Sequence, residues 1–173
     1  MEKIEATKEN KEIIKRATII CGFPGIGKTT LWNRKEELKI LDSDSTDFSW
    51  ADASKTTRNS DWPKNYIEYI REKSEEADII LVSSHDTVRD ALVKAGITFV
   101  LVYPSLEMKG EYIQRYRDRG SSEKFIRLLE ENYEKWVGEL MSQTGCRHVV
   151  LQPGQYLSDV IDQVRESISE SQD

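Results

Sequence analysis

The sequence predicts an α/β fold, a five-stranded parallel sheet with helices on both faces. Three observations predict it. Short β-branched runs alternate with stretches of helical periodicity. The runs are apolar throughout, as strands covered on both faces are. Strand and helix in alternation imply parallel strands joined by right-handed crossovers. With 173 residues, 38% of them hydrophobic, the chain is long enough for one such core and short for two, so residues 1–173 read as a single domain.

Residues 1–16 ("MEKIEATKENKEIIKR") are mostly charged with little apolar periodicity and read as a solvated arm or short leading helix. Strands are expected at "ATIIC" (17–21), "KIL" (39–41), "DIILVS" (78–83), "TFVLV" (98–102) and "HVVL" (148–151). Between them, Pro63 can open a helix behind Trp62 with Ile67 and Ile70 inward. A second runs from about Asp86, carries Val88, Ala91, Leu92 and Ala95, and stops at Gly96. Ser105 can cap a third that ends at Gly120. Ser122 can cap a fourth, with Phe125, Leu128, Leu129, Trp136, Val137 and Leu140 as a core stripe until Gly145. The last begins near Ser158 and buries Ile161, Val164 and Ile168.

A net charge of −6 argues against a surface built to hold long nucleic acid, while leaving room for a local anion site. No apolar run approaches the roughly 18 to 20 residues of a membrane span, and no signal peptide is visible, so a soluble cytoplasmic protein is expected. Cys21 and Cys146 read as small apolar side chains rather than a disulfide or metal framework.

The most informative stretch is "GFPGIGKTTL" (22–31), directly after the first strand. Gly22, Gly27, Lys28 and Thr29 satisfy the Walker A pattern G-x-x-x-x-G-K-[ST] in its strand-to-helix context. Glycines let successive N–H groups turn inward, and the following helix adds its positive end, so a triphosphate is held by neutral donors. The cradle comprises Gly22, Pro24, Gly25, Ile26, Gly27, Lys28, Thr29 and Thr30. Lys28 would reach the β- and γ-phosphates, and the Thr29 hydroxyl would ligate Mg²⁺.

After a brief helix, "ILDSDSTDF" delivers Asp42 and Asp44. Two apart on extended chain, both carboxylates point the same way, toward a cleft beside the cradle. One can hold water on Mg²⁺ while the other takes a proton from an attacking oxygen or binds an acceptor hydroxyl. The alternative is an acidic turn in which Asp42 or Ser43 caps the next element. Asp47 could join either role.

With these two segments the chain resembles the small P-loop kinases related to adenylate kinase, shikimate kinase, gluconate kinase and the 5′ polynucleotide kinases. The resemblance implies the P-loop NTPase fold with strand order 2-3-1-4-5, ATP and Mg²⁺ as cofactors, and acceptor-binding carboxylates after the second strand. "ILVSSHDTVRDAL" is similar to the segment of gluconate-type kinases that bears an acceptor-binding arginine, which here would be Arg89; the alternative is a solvent-facing helix arginine. In "YIQRYRDRG", Arg115 and Arg119 share a helical face, while Arg117 projects elsewhere. The resemblance makes 105–122 a lid whose arginines stabilise charge in transfer; otherwise they form an ordinary charged face paired with Glu111 and Asp118. No aspartate ends the third strand, where Ser83 and Ser84 stand, so magnesium support would fall to Asp42, Asp44 or Asp86. "DGxPR" of the true adenylate kinases is missing, which argues against an AMP kinase.

His85, after the third strand, could bind the acceptor or cap the next helix, and His148 reads as structural. Trp50, Trp62 and Tyr66 could stack on a base or simply pack, and Arg58 and Lys64 could meet an acceptor phosphate or sit in a polar loop. The expected function is transfer of the γ-phosphoryl group of ATP to a small acceptor, most readily a nucleoside or nucleotide, with Lys28, Asp44, Arg115 and Arg119 catalytic and Asp42, Asp44, His85 and Arg89 at the acceptor. The alternatives are a 5′-hydroxyl polynucleotide kinase acting on a nucleic acid end, a gluconate-like sugar kinase, and an ATP-binding switch that transfers nothing. N-K-x-D and D-x-x-G are both absent, which argues against a GTPase.

Overall fold

The computed structural model describes residues 16–33, 36–43, 46–51, 54 and 57–171, with backbone alone at 29, 32, 46, 47 and 167–171. The expectations for the leading arm, for Asp44, and for the side chains of Thr29, Asp47 and Ile168 lie outside the described residues.

Five strands form one sheet: β1 (Thr18–Gly22), β2 (Ile40–Asp42), β3 (Ile79–Ser83), β4 (Val100–Pro104) and β5 (Arg147–Leu151). Their order is β2-β3-β1-β4-β5, and every pairing is parallel. The helices are α1 (Lys28–Trp32), α2 (Thr46–Ser49), α3 (Lys64–Lys73), α4 (Asp86–Lys94), α5 (Lys109–Asp118, after a 3₁₀ turn at Leu106–Met108), α6 (Glu123–Met141) and α7 (Leu157–Ser171). No helix among the described residues is long and apolar enough to cross a membrane.

The core lies where the central strands meet these helices. Ile20, Ile80, Val82, Val100 and Leu101 are fully buried, each contributing about 1.5–3 kcal/mol through the apolar surface it removes from water. β1 and β4 are covered along their whole length, as their unbroken apolar runs require. The edge strands are not: Asp42 ends β2 exposed and Val150 faces outward from β5, so the expectation of strands covered on both faces holds only for the middle three. β4 starts two positions later than expected because Ile97 N–H still bonds the Leu92 carbonyl, closing α4.

Ser122 caps α6 as expected, its hydroxyl accepting from Phe125 N–H at 3.2 Å. Ser105 makes no such cap; the chain passes through the 3₁₀ turn first, and its hydroxyl is buried without a partner. Leu128 is 46% exposed while Leu129 is buried. Adjacent helical residues point about 100° apart, so only one of the pair can face the core. α6 stops at Met141, short of Gly145. The short α2 and an antiparallel bridge between Trp50 and Arg58 were not foreseen.

Candidate functional site at the carboxyl edge of the sheet

The register brings Gly22 of β1 level with Ser83 of β3 and Val102 of β4, so the loop 23–27 leaves the sheet at the carboxyl edge. Phe23 N–H bonds the Val102 carbonyl (2.9 Å), which carries the β1–β4 ladder one residue past β1. Gly25 and Gly27 then take φ of 89° and 96°, a region that β-carbons disfavour. Space is tight around these glycines as well. A Cβ at Gly22 would collide with Ile26 Cδ1, one at Gly25 would lie 3.1 Å from the Tyr116 ring, and one at Gly27 would lie 2.7 Å from the Tyr156 ring. The amides of Gly25, Gly27 and Lys28 donate to no oxygen of the described residues. Unpaired amides on a glycine loop are the kind of donors an anion needs, which makes this loop the candidate cradle, and α1, only five residues long, adds little dipole of its own.

The cradle is braced from outside. Arg115 donates through Nη1 to the Gly25 carbonyl (2.9 Å) and through Nη2 to Glu111 (2.6 Å) and the Gln155 carbonyl (2.8 Å). Its guanidinium lies 4.5 Å over Tyr112 and 3.9 Å over Tyr156. Glu111 also accepts from Gly154 N–H (2.8 Å), and Leu157 N–H bonds the Ile26 carbonyl (2.7 Å). The β5–α7 loop, read in the sequence only as the gap before the last helix, is thereby fastened to the cradle. Its Pro153-Gly154 pair directly after a strand was the available signal. Of the two acidic partners weighed for Arg115 and Arg119, Glu111 pairs with Arg115, whereas Asp118 accepts from Gln114 (2.9 Å). Arg119 is exposed and stands 5.3 Å from the Tyr116 ring centre.

Two open chambers meet at Lys28. One of about 580 Å³ lies between the cradle and α5, lined by Gly25, Gly27, Lys28, Arg115, Arg119 and Tyr156. The other, about 380 Å³, is lined by Gly22, Lys28, Asp42, Ser43, Ser83 and His85. Thus Lys28, Arg115 and Arg119 share one chamber, and Lys28, Asp42 and His85 the other. Pro24 lines both, Ile26 is buried beneath the loop and Thr30 is exposed on α1.

Arg89 is no solvent-facing arginine: it is 6% exposed, donating through Nε to the Ser84 carbonyl (2.9 Å) and through Nη1 to Gln143 Oε1 (2.6 Å). Gln143 is a partner that sequence reasoning missed. His85 occupies the N-cap position of α4 without a side-chain cap. Tyr66 is fully buried and donates to the Ser43 carbonyl (2.7 Å), which makes it packing. Arg58 lies 4.1 Å over Trp50, so one face of that ring is covered by its own chain. His148 bonds the Tyr103 hydroxyl (2.9 Å) and the Gln143 carbonyl (2.8 Å), a structural role. Cys21 is buried in β1, where burial pushes its thiol far up, and it behaves as an apolar filler.

No known family profile matches this chain, and no curated protein matches it significantly. Nineteen chains of solved structures do match. One is a gluconokinase from Sinorhizobium meliloti 1021, with a TM-score of 0.54 and 14% sequence identity over 91% of this chain and 93% of that one. Together with the five parallel strands in order 2-3-1-4-5 and the glycine cradle after the first, this likeness shows the fold of the chain to be that of the P-loop kinases.

Proposed function

We propose that the protein is a phosphotransferase that moves the γ-phosphoryl group of ATP to a hydroxyl of a small acceptor. The observation that carries this reading is the position of Lys28 in the wall of two chambers, one beside the cradle and one over Asp42. A donor phosphate in the first and an acceptor hydroxyl in the second would meet at its ammonium group. The loop suits a polyphosphate, since a Cβ at Gly27 would collide with the Tyr156 ring, Gly25 and Gly27 hold positive φ, and the amides of Gly25, Gly27 and Lys28 are unpaired among the described residues. Arg119 reaches the same chamber and would add charge there.

In this reading the acceptor oxygen attacks the γ-phosphorus in line, ADP leaves, and the hydroxyl proton passes to a carboxylate. We assign that proton to Asp44 and leave Asp42 as acceptor anchor and metal support. Mg²⁺, held by the Thr29 hydroxyl and aided by Asp42, would neutralise charge on the phosphate oxygens. The protein's own share is positioning and electrostatics, by the cradle amides and Lys28. The gluconokinase neighbour acts, by its name, on gluconate. A nucleoside or nucleotide remains our preferred acceptor class here, and a polynucleotide 5′-hydroxyl is opposed by the acidic net charge.

Labelled ATP incubated with pooled nucleosides, nucleotides, sugar acids and short oligonucleotides identifies the acceptor directly. Lys28→Ala should then lower turnover by roughly 10³-fold or more with the circular dichroism spectrum unchanged. Retained turnover would remove Lys28 from the chemistry. Tight ATP binding with no transfer to any pool would instead favour a nucleotide-binding switch.

A further inference from the structure

The amino edge of the sheet, opposite the candidate site, holds a cavity of about 460 Å³, a size typical of small-ligand sites. Its apolar lining is Ile19 of β1, Ile70 of α3 and Ile97 ahead of β4; the first two are buried and the third half-buried. The rest comes chiefly from the ends of two helices. Arg71, Ser74 and Glu75 stand where α3 stops, and Ala95 where α4 stops. Arg16, just ahead of β1, completes the charged lining.

Three charged side chains share this space, and no two of them pair. Arg71 and Glu75 are four apart, the spacing of a helical ion pair. α3 ends at Lys73, however, so Glu75 is off the helix, and Arg71 donates through Nη2 to the Ala95 carbonyl instead (2.7 Å). Ala17 N–H bonds the Ser74 carbonyl (2.8 Å), which fixes where the chain at Arg16 meets this edge. Among the described residues, Arg16, Arg71 and Glu75 have no ion pair. Two cations and one anion are left without counter-ions around a lining of isoleucines.

One chemistry answers all of these features together: a carboxylate for the arginines, an ammonium group for Glu75 and a hydrocarbon body for the isoleucines. A simple anion would face the like charge of Glu75, and a neutral apolar molecule would leave all three charges unanswered. We propose that this cavity binds a free amino acid with an apolar side chain, its carboxylate on Arg71 and Arg16 and its ammonium group on Glu75. The site is separate from Lys28 and Asp42 and does not rest on the phosphotransferase reading. Its ligand would nevertheless touch the two helices that shape the chamber over Asp42. α3 carries Tyr66, which holds the Ser43 carbonyl, and α4 begins after His85; Ser43 and His85 both line that chamber.

Isothermal titration calorimetry of the full chain with leucine, isoleucine, valine, methionine and phenylalanine tests this. At least one should bind. Its amide and its N-acetyl derivative each lack one charge and should bind roughly tenfold or more weakly, the scale of one charged hydrogen bond. Glycine, which keeps both charges without the apolar body, should also bind more weakly. Glu75→Gln breaks no bond among the described residues and should level the amino acid with its N-acetyl derivative. Arg71→Met should level it with its amide, and Arg71→Lys should restore part of the difference. Circular dichroism should show all three variants folded as the parent is. Binding by none of the five, an N-acetyl derivative as tight as its parent amino acid, or a preference untouched by Glu75→Gln overturns the proposal. No readout here involves ATP, so this site and the phosphotransferase reading fail separately.

Discussion

Arg115 and Arg89 flank the glycine loop 23–27 and are both shielded from water, yet they are held in opposite ways. Arg115 has a carboxylate partner, two carbonyls and two aromatic faces, all within the chain. Arg89 has a carbonyl and an amide oxygen. A buried cation whose counter-ion belongs to the chain has its desolvation partly offset, whereas one with only neutral partners does not. Sequence spacing alone cannot tell these cases apart.

The largest expected effect breaks the comparison if it fails. Arg115→Met removes the bonds to Gly25, Gln155 and Glu111 at once, and should cost about 3 kcal/mol in denaturant unfolding. Arg89→Met replaces an uncompensated charge with an apolar chain, and should change stability by no more than about 1 kcal/mol. Equal losses would mean that both arginines are structural. Arg115 is then a residue of α5 that shapes the loop 23–27, whereas Arg119, exposed in the same chamber, makes no bond to that loop.

The next effect lies inside the cradle. At Gly27, a methyl group meets the Tyr156 ring and a positive φ together, so Gly27→Ala should cost roughly 1–3 kcal/mol and weaken ATP binding. Gly110, in α5 with open space around its missing Cβ, should instead gain about 0.5–1 kcal/mol as alanine. Thermal melts with and without ATP measure both. A neutral Gly27→Ala would show that the β5–α7 loop yields easily and is no brace.

Legibility in the sequence falls with distance along the chain. The cradle is ten consecutive residues, and its glycines state their geometry locally. The strand order and the place of the site at the carboxyl edge come from alternation and the family likeness. Arg89 was legible as a candidate but not as buried, because Gln143 lies 54 residues away along the chain. The brace that Arg115 makes was not legible, since Gly25 lies 90 residues away and Gln155 40. Leu128 was misread because an apolar residue at helical spacing resembles core even when its neighbour Leu129 already occupies the inward face.

The smallest effect sharpens the Arg115 side. The Tyr112 hydroxyl is buried with no hydrogen bond, and Arg115 approaches it without the alignment that one requires. Burial raises Tyr112 well above the ordinary tyrosine range, more than Arg115 lowers it, and burial likewise raises Tyr116 and Tyr133. In the unfolded chain these phenols ionise near pH 10. Below that pH both states keep their protons and the contribution is fully present. Above it the unfolded chain sheds protons that the folded chain retains, so stability falls as pH climbs toward the raised folded values. Tyr112→Phe removes one such proton and one unpaired hydroxyl. It should raise stability at neutral pH by about 1 kcal/mol and flatten the alkaline fall, both read from urea midpoints between pH 8 and 11. A variant less stable than the parent at pH 8 would show that the hydroxyl does bond Arg115, and that the brace of the cradle includes a phenol.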